Sequence, residues 1–263
     1  MRNELGYVRQ QLSLVVTLVD GYTKLPPKRS LPQVYLEGTP VVPMRRDNAY
    51  YFMNLQRGPY KLHVQSDMYW NQVVEIDLNE LSPIHPVVPI WLAPKPNYPE
   101  DPLAFIVRSS IREASGKGLE GVSVEAVVTS MEGVRARLGR DGRTGDETIL
   151  LSGAVQAIAD GETLAVRQEA ASEWELAVLE ARLGNTNEFT LHNPLQSAYP
   201  QGTKLHSYTH TMTDHHGDFA LYISLSKAKK ITAQLRFSIR ERVFHKEVTL
   251  EQGKPLLQDA IVV

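Results

Sequence analysis

Apolar and polar side chains alternate with a period of two along much of the chain. In ITAQLRFSIR, Ile231, Ala233, Leu235, Phe237 and Ile239 alternate with Thr232, Gln234, Arg236, Ser238 and Arg240. The same beat sets Leu12, Leu14, Val16 and Leu18 on one side of LSLVVTLVD, and Tyr60, Leu62 and Val64 on one side of YKLHVQS. It also aligns Phe219, Leu221, Ile223 and Leu225 in FALYISLS. In an extended backbone this pattern gives each strand one buried and one wet face. One-sided strands build antiparallel sheets, because strands of parallel sheets are covered on both faces and read as continuous apolar runs. Pro and Gly recur roughly every ten residues, the turn spacing of sandwiches. The expected fold class is all-β, with tandem antiparallel β-sandwiches.

Two features divide the chain. PIWLAPKPNYPEDP holds five prolines in residues 89–102. Fixed φ angles and missing amide donors oppose strand pairing and favour an extended, semi-rigid connector. A first sandwich over 1–92 and a linker over 93–102 follow. The second division is an apparent duplication. VDGYTKLPP and NAYYFMNLQRGPYKLHV in the first half correspond to EASGKGLEGVSVEAV and DHHGDFALYISL in the second. The span from Leu25 to Phe52 becomes a far longer one from Leu119 to Phe219. The second sandwich is therefore expected to be discontinuous, 103–139 and 209–263, around a small β-rich insert at 140–208. ETLAVRQEAASEWELAVLEARLG in that insert carries helix-favouring residues. Trp174, Leu176 and Val178 nevertheless alternate with Glu173, Glu175 and Ala177, and ADG and GNTN at 159–161 and 184–187 read as turns. Short strands with Trp174, Leu176 and Val178 on one face are the expectation, with a helix as the alternative.

Two resemblances rest on specific residues. Gly116, Leu119, Gly121, Val122 and Val124, followed by Thr213, Asp214, Gly217 and Phe219, resemble the pattern of carboxypeptidase regulatory-like, or transthyretin-like, β-sandwich domains. Asp20, Gly21, Tyr51, Phe52, Gly58 and Tyr60 resemble it more loosely in the first half, where Asn48-Ala49 stands at the glycine of the second turn. Asp160, Gly161, Leu164, Pro194, Leu195, Gly202 and Thr203 look like a small β module of phage tails and contractile injection systems. Proteins encoded with such particles also combine sandwiches of this type with Pro-Asn-Tyr-Pro connectors, here Pro96 to Pro99. The resemblances cover most of the chain. They imply a non-enzymatic structural subunit, a cap, collar or baseplate-associated component. Its partners would be other copies of itself in a ring and tube, sheath or baseplate proteins. They imply no chemistry.

THTMTDHHGDF supplies the densest cluster of reactive side chains. His206, His210, His215 and His216 make up half of the 8 histidines, and imidazole binds transition metals. On one strand, however, His206 and His210 would stand about 13 Å apart, too far to share an ion. His215 and His216 precede Gly217, where a turn needs φ > 0, with Asp214 capping it and Phe219 opening the buried face. A turn, with no metal or other cofactor, is the expectation. Asp214 and Asp218, or Glu173, Glu175 and Glu180, could do acid–base work only if two faced each other in a cleft. The chain has no Cys, which excludes disulfides, zinc–thiolate sites and cysteine nucleophiles. No nucleophile elbow, phosphate loop or His-Glu-x-x-His is present, so no catalytic residue is assigned. A net charge of −2 is not that of a nucleic-acid binder. RARLGRDGR at 135–143 holds four arginines and reads as a solvated connector or a contact for an acidic partner or phosphate. Tyr50, Tyr51, Tyr69 and Trp70 lie near turns and are candidates for protein interfaces; stacking on sugar, in a carbohydrate-binding or adhesion module, is the alternative. The apolar run from Leu12 to Val19 is too short for an export leader or a membrane span. A cytoplasmic protein without membrane insertion is expected.

Overall fold

The structure is a computed structural model and describes residues 11–28, 31–168, 173–225, 228–239 and 242–262. The chain is all-β. It divides into two compact units, one of residues up to Asp20 plus Leu25–Leu92, the other of Gly21–Lys24 plus Ala93–Val263.

The first unit contains β1 (Leu12–Asp20), β2 (Gln33–Leu36), β3 (Met44–Arg46), β4 (Ala49–Met53), β5 (Pro59–Gln65), β6 (Gln72–Asp77) and β7 (Val87–Leu92). They form two sheets, ordered β3-β4-β1-β7 and β2-β5-β6. Leu14, Val16, Leu18, Phe52, Leu62 and Val64 are buried, as alternation requires, whereas Leu12 at the start of β1 is exposed. β7 runs parallel to β1, with Pro89 opposite Thr17. A proline is tolerated there because β7 is an edge strand.

The second unit contains β8 (Phe105–Arg112), β9 (Ser123–Val128), β10 (Val134–Leu138), β11 (Thr148–Ser152), β12 (Thr163–Val166), β13 (Glu175–Arg182), β14 (Glu188–Leu191), β15 (Lys204–Met212), β16 (Asp218–Ile223), β17 (Lys230–Ile239), β18 (Arg242–Glu251), β19 (Leu256–Leu257) and β20 (Ile261–Val262). One sheet runs β10-β11-β14-β13-β12-β15-β9-β17-β18, and β10 also pairs β15. That extra pairing closes β10, β11, β14, β13, β12 and β15 into a barrel. Closure removes the edges that an isolated small sheet would expose. Its interior is filled by Ala136, Leu138, Ile149, Leu164, Leu179, Phe189 and Leu205 among others. The second sheet is β16-β8 with β19 and β20 parallel to β8. Phe105, Val107, Ile111, Val124, Phe219, Leu221, Leu235 and Phe237 lie in the core between this sheet and β9-β17-β18.

The pairing scheme is repeated. β1 pairs β4 antiparallel and β7 parallel; β8 pairs β16 antiparallel and β19 and β20 parallel. β5 lies between β2 and β6, as β17 lies between β9 and β18. β15 has two roles: Leu205–Ser207 pair with β12 in the barrel, and Tyr208–Met212 pair with β9 in the sandwich.

Several expectations are corrected. The Pro-rich residues 93–102, expected as a semi-rigid connector, belong to the second unit and are hydrogen-bonded to it. Pro94 carbonyl accepts from Thr211 Oγ1 at 3.3 Å, Pro96 carbonyl from Arg108 at 2.7 Å and Tyr98 carbonyl from the Tyr222 hydroxyl at 2.7 Å. RARLGRDGR is not a solvated connector, because Val134–Leu138 is a barrel strand. In β13 the face turned into the barrel is Ala177 and Leu179, while Leu176 and Val178 are half-buried on the opposite side.

Candidate functional site

The TDHHGDF segment is the turn that carries the chain from β15 in one sheet to β16 in the other. Asp214 Oδ1 accepts from the amides of His216 and Asp218, each at 2.9 Å. The Gly217 amide donates to the Asp214 carbonyl at 2.8 Å, and the Asp214 amide to the Asp218 carbonyl at 2.9 Å. Thr213 is buried; its Oγ1 accepts from the Val122 amide at 2.9 Å and donates to the Leu119 carbonyl. The two turns of the family-like pattern, distant in sequence, therefore meet in space. Gly217 has φ +81°, and a Cβ on it would stand 2.4 Å from the Ile111 carbonyl oxygen. Gly116 and Gly121, at φ +85° and +71°, have open space around them and are demanded by conformation alone. Phe219 then enters the core beside Phe237, ring centroids 5.9 Å apart.

The four histidines are dispersed. His215 and His216 are exposed on the turn, rings 3.8 Å apart. His210 is exposed on β15 and stacks on Tyr208 at 6.2 Å. His206 is buried, its Nδ1 2.8 Å from the Val128 carbonyl and its ring 5.2 Å from Trp174. A carbonyl only accepts, so Nδ1 carries the proton in the neutral ring. Burial depresses the His206 pKa most, and Lys204, Arg167 and Arg137 push it further the same way, against the Val128 hydrogen bond. Among the described residues no group of three or more His, Asp or Glu side chains is arranged to hold a metal.

Tyr50 and Tyr69 are corrected as interface candidates. They are 6% and 1% exposed, so neither presents a ring to a partner. Each turns inward because its hydroxyl finds an acceptor: Tyr50 donates to the Pro32 carbonyl at 2.5 Å and Tyr69 to Asp20 Oδ2 at 2.9 Å. Burial raises the Tyr50 pKa, with Arg45 opposing. Trp70 is half-buried.

An accessible, organised surface lies along the β18 side of the second sandwich. β18 is a 10-residue strand that ends its sheet, paired on one side to β17. Only Val248 and Leu250 of it are buried; Val243 and Phe244 are 45% and 37% exposed. The Gln252 amide donates to the Lys229 carbonyl, which fixes Lys229 opposite Gln252 as a bonded position. Alternation from there turns the amides of Val243, His245, Glu247 and Thr249 away from β17. Across the outer face, His210, Glu125, Arg236 and His245 occupy one register row on β15, β9, β17 and β18. Arg236 meets Glu125 at 3.1 Å, Tyr208 donates to the same carboxylate at 3.1 Å, and His245 meets Glu173 at 3.2 Å. Trp174 Nε1 donates to Gln234 at 2.6 Å on this face. Sequence reasoning missed β18. Its only cue was the alternation of Phe244, Val248 and Leu250 with polar neighbours, diluted by exposed apolar Val243.

These surfaces belong to an all-β protein of sandwich type. Among the described residues, no helix is long and apolar enough to cross a membrane. No family model matches the chain, and no curated protein matches it. Among solved structures it is similar to a streptococcal ancillary pilin, at 11% identity and a TM-score of 0.27, over 96% of this chain and 68% of that one. A likeness that small carries nothing about function.

Proposed function

We propose that the chain is a non-enzymatic structural subunit of a phage-tail-like contractile injection particle, at its cap, collar or baseplate. It acts through contacts with further copies of itself in a ring and with tube, sheath or baseplate proteins, and is assembled in the cytoplasm. The observation that supports this best is the exposed ladder of β18. An unpaired edge accepts a further strand through main-chain hydrogen bonds, and flanking side chains select the partner. Val243 and Phe244 offer apolar area there, while Arg242, His245 and Lys246 discourage indiscriminate pairing. In a ring, one such edge repeatedly meets a complementary patch on the neighbour.

Val243→Pro with Glu247→Pro tests this. Both amides point away from β17, so the substitutions remove outward donors and leave the inner ladder in place. The variant should keep its circular dichroism spectrum and be absent from purified particles. Deleting the chain should give particles with missing or malformed ends. Wild-type particles of normal length that contain no copy of the chain would sink the proposal.

A further inference from the structure

A pocket of about 760 Å³ lies against the outer side of barrel strands β10 and β15 and the end of β12, lined in part by Arg137, Arg167, Lys204, His206, Trp174 and Gln201. Among the described residues its charge is one-sided. No carboxylate is among the described residues that line it. Arg137 of β10 and Lys204 of β15 stand directly opposite each other in the strand register. Like charges in that position repel, and a sheet normally avoids them. Arg167 brings a third positive charge to the same hollow, its guanidinium lying over the Trp174 ring at 4.4 Å from the centroid.

Arginines just outside the pocket are treated differently. Arg135 pairs with Glu162 at 3.2 Å and Arg140 with Glu188 at 2.5 Å. Among the described residues, none of Arg137, Arg167 and Lys204 has an acidic partner. Arg137 is oriented by donating to the Gly202 carbonyl at 3.1 Å, and Arg167 by its indole platform. Two cations are thus pre-positioned by neutral groups, with no compensating carboxylate among the described residues. Guanidinium forks with an ammonium beside them suit phosphate oxygens, the forks by bidentate donation and the ammonium as a point charge. The volume falls within the range of small-molecule sites and exceeds what a single phosphate fills.

The geometry points to this pocket as a binding site for a soluble small molecule that carries two or more phosphate groups. Phosphates bridge Arg137, Lys204 and Arg167, neutralise the cross-strand repulsion and leave the rest of the ligand against Gln201 and the pocket wall. The site is independent of β18 and of the assembly role.

Calorimetric titration of the full chain with pyrophosphate, and separately with ATP, tests this at low salt. Saturable binding of one molecule per chain is expected with at least one of them. Arg137→Gln and Lys204→Gln should each weaken it tenfold or more, and Arg143→Gln, outside the pocket, should not. In the unmodified protein, pyrophosphate should slow acetylation of Lys204 but not of Lys246. This second readout needs no variant to fold. No heat with either probe, equal binding by pocket and control variants, or unprotected Lys204 would each overturn the assignment.

Discussion

Alanine at Gly217 should destabilise the second unit far more than alanine at Gly116, although both glycines have positive φ. At Gly116, φ +85°, a Cβ meets nothing within 4 Å, so the penalty is the left-handed backbone alone, about 1–2 kcal/mol. At Gly217, φ +81°, the same penalty applies and the Cβ also falls 2.4 Å from the Ile111 carbonyl oxygen. That carbonyl accepts from the Leu119 amide at 2.9 Å, and the Ile111 amide donates to the Gly217 carbonyl at 2.8 Å. Relieving the clash strains both bonds, each worth about 1 kcal/mol net. Gly217→Ala should therefore cost roughly 3–4 kcal/mol. Gly118→Ala isolates the steric part, because its Cβ would lie 2.1 Å from the His216 carbonyl oxygen without a positive φ; roughly 1–3 kcal/mol is expected from the overpacking. Native-state hydrogen exchange of β8 and β16 amides reads local opening free energies directly. If Gly217→Ala and Gly116→Ala agree within about 0.5 kcal/mol, or Gly118→Ala is silent, the close approach of the two turns is wrong.

Two further outcomes follow from buried polar groups. Thr213→Val keeps the shape but leaves the Val122 amide without its 2.9 Å acceptor, and should cost about 1–3 kcal/mol in urea unfolding; Thr213→Ser should recover most of it. His206 is held neutral on folding, below its ordinary value of 6.5, by burial and by the charges of Lys204, Arg167 and Arg137. Its contribution is intact above that value and is lost as pH falls from there toward the lower folded-state value, because the unfolded chain binds the proton first. Stability measured from about pH 7.5 down to 5 should decline less steeply in His206→Gln, and an unchanged slope would refute the account.

How much of this was legible depended on whether one face or two were buried. ITAQLRFSIR reads correctly because β17 has one buried side, Ile231 through Ile239 at every second position. FALYISLS was only half legible. Phe219 and Leu221 face the sandwich core as alternation demands, but Ala220 and Tyr222 are buried too, against Tyr22 and Ala104 with Tyr98 packed alongside. β13 misled for the same reason: its outward Leu176 and Val178, and Trp174 just before it, are partly covered, so the more apolar face was not the inward one. The turn at Asp214 to Gly217 was legible in full, since its chemistry is local. The pocket was not. Arg137, Arg167 and Lys204 come together only through the pairing of β10 with β15 and the path out of β12, contacts that no local pattern encodes.

β15 belongs to barrel and sandwich at once, and this makes its alignment a shared constraint. A slip by a single position would swap Leu205 out of the barrel and, on the same strand, trade Thr211 for His210 on the covered side of the sandwich. Neither half can tolerate that error alone, so each proofreads the other. Excising the barrel and rejoining the ends would discard that mutual check, leaving the remaining edge free to drift.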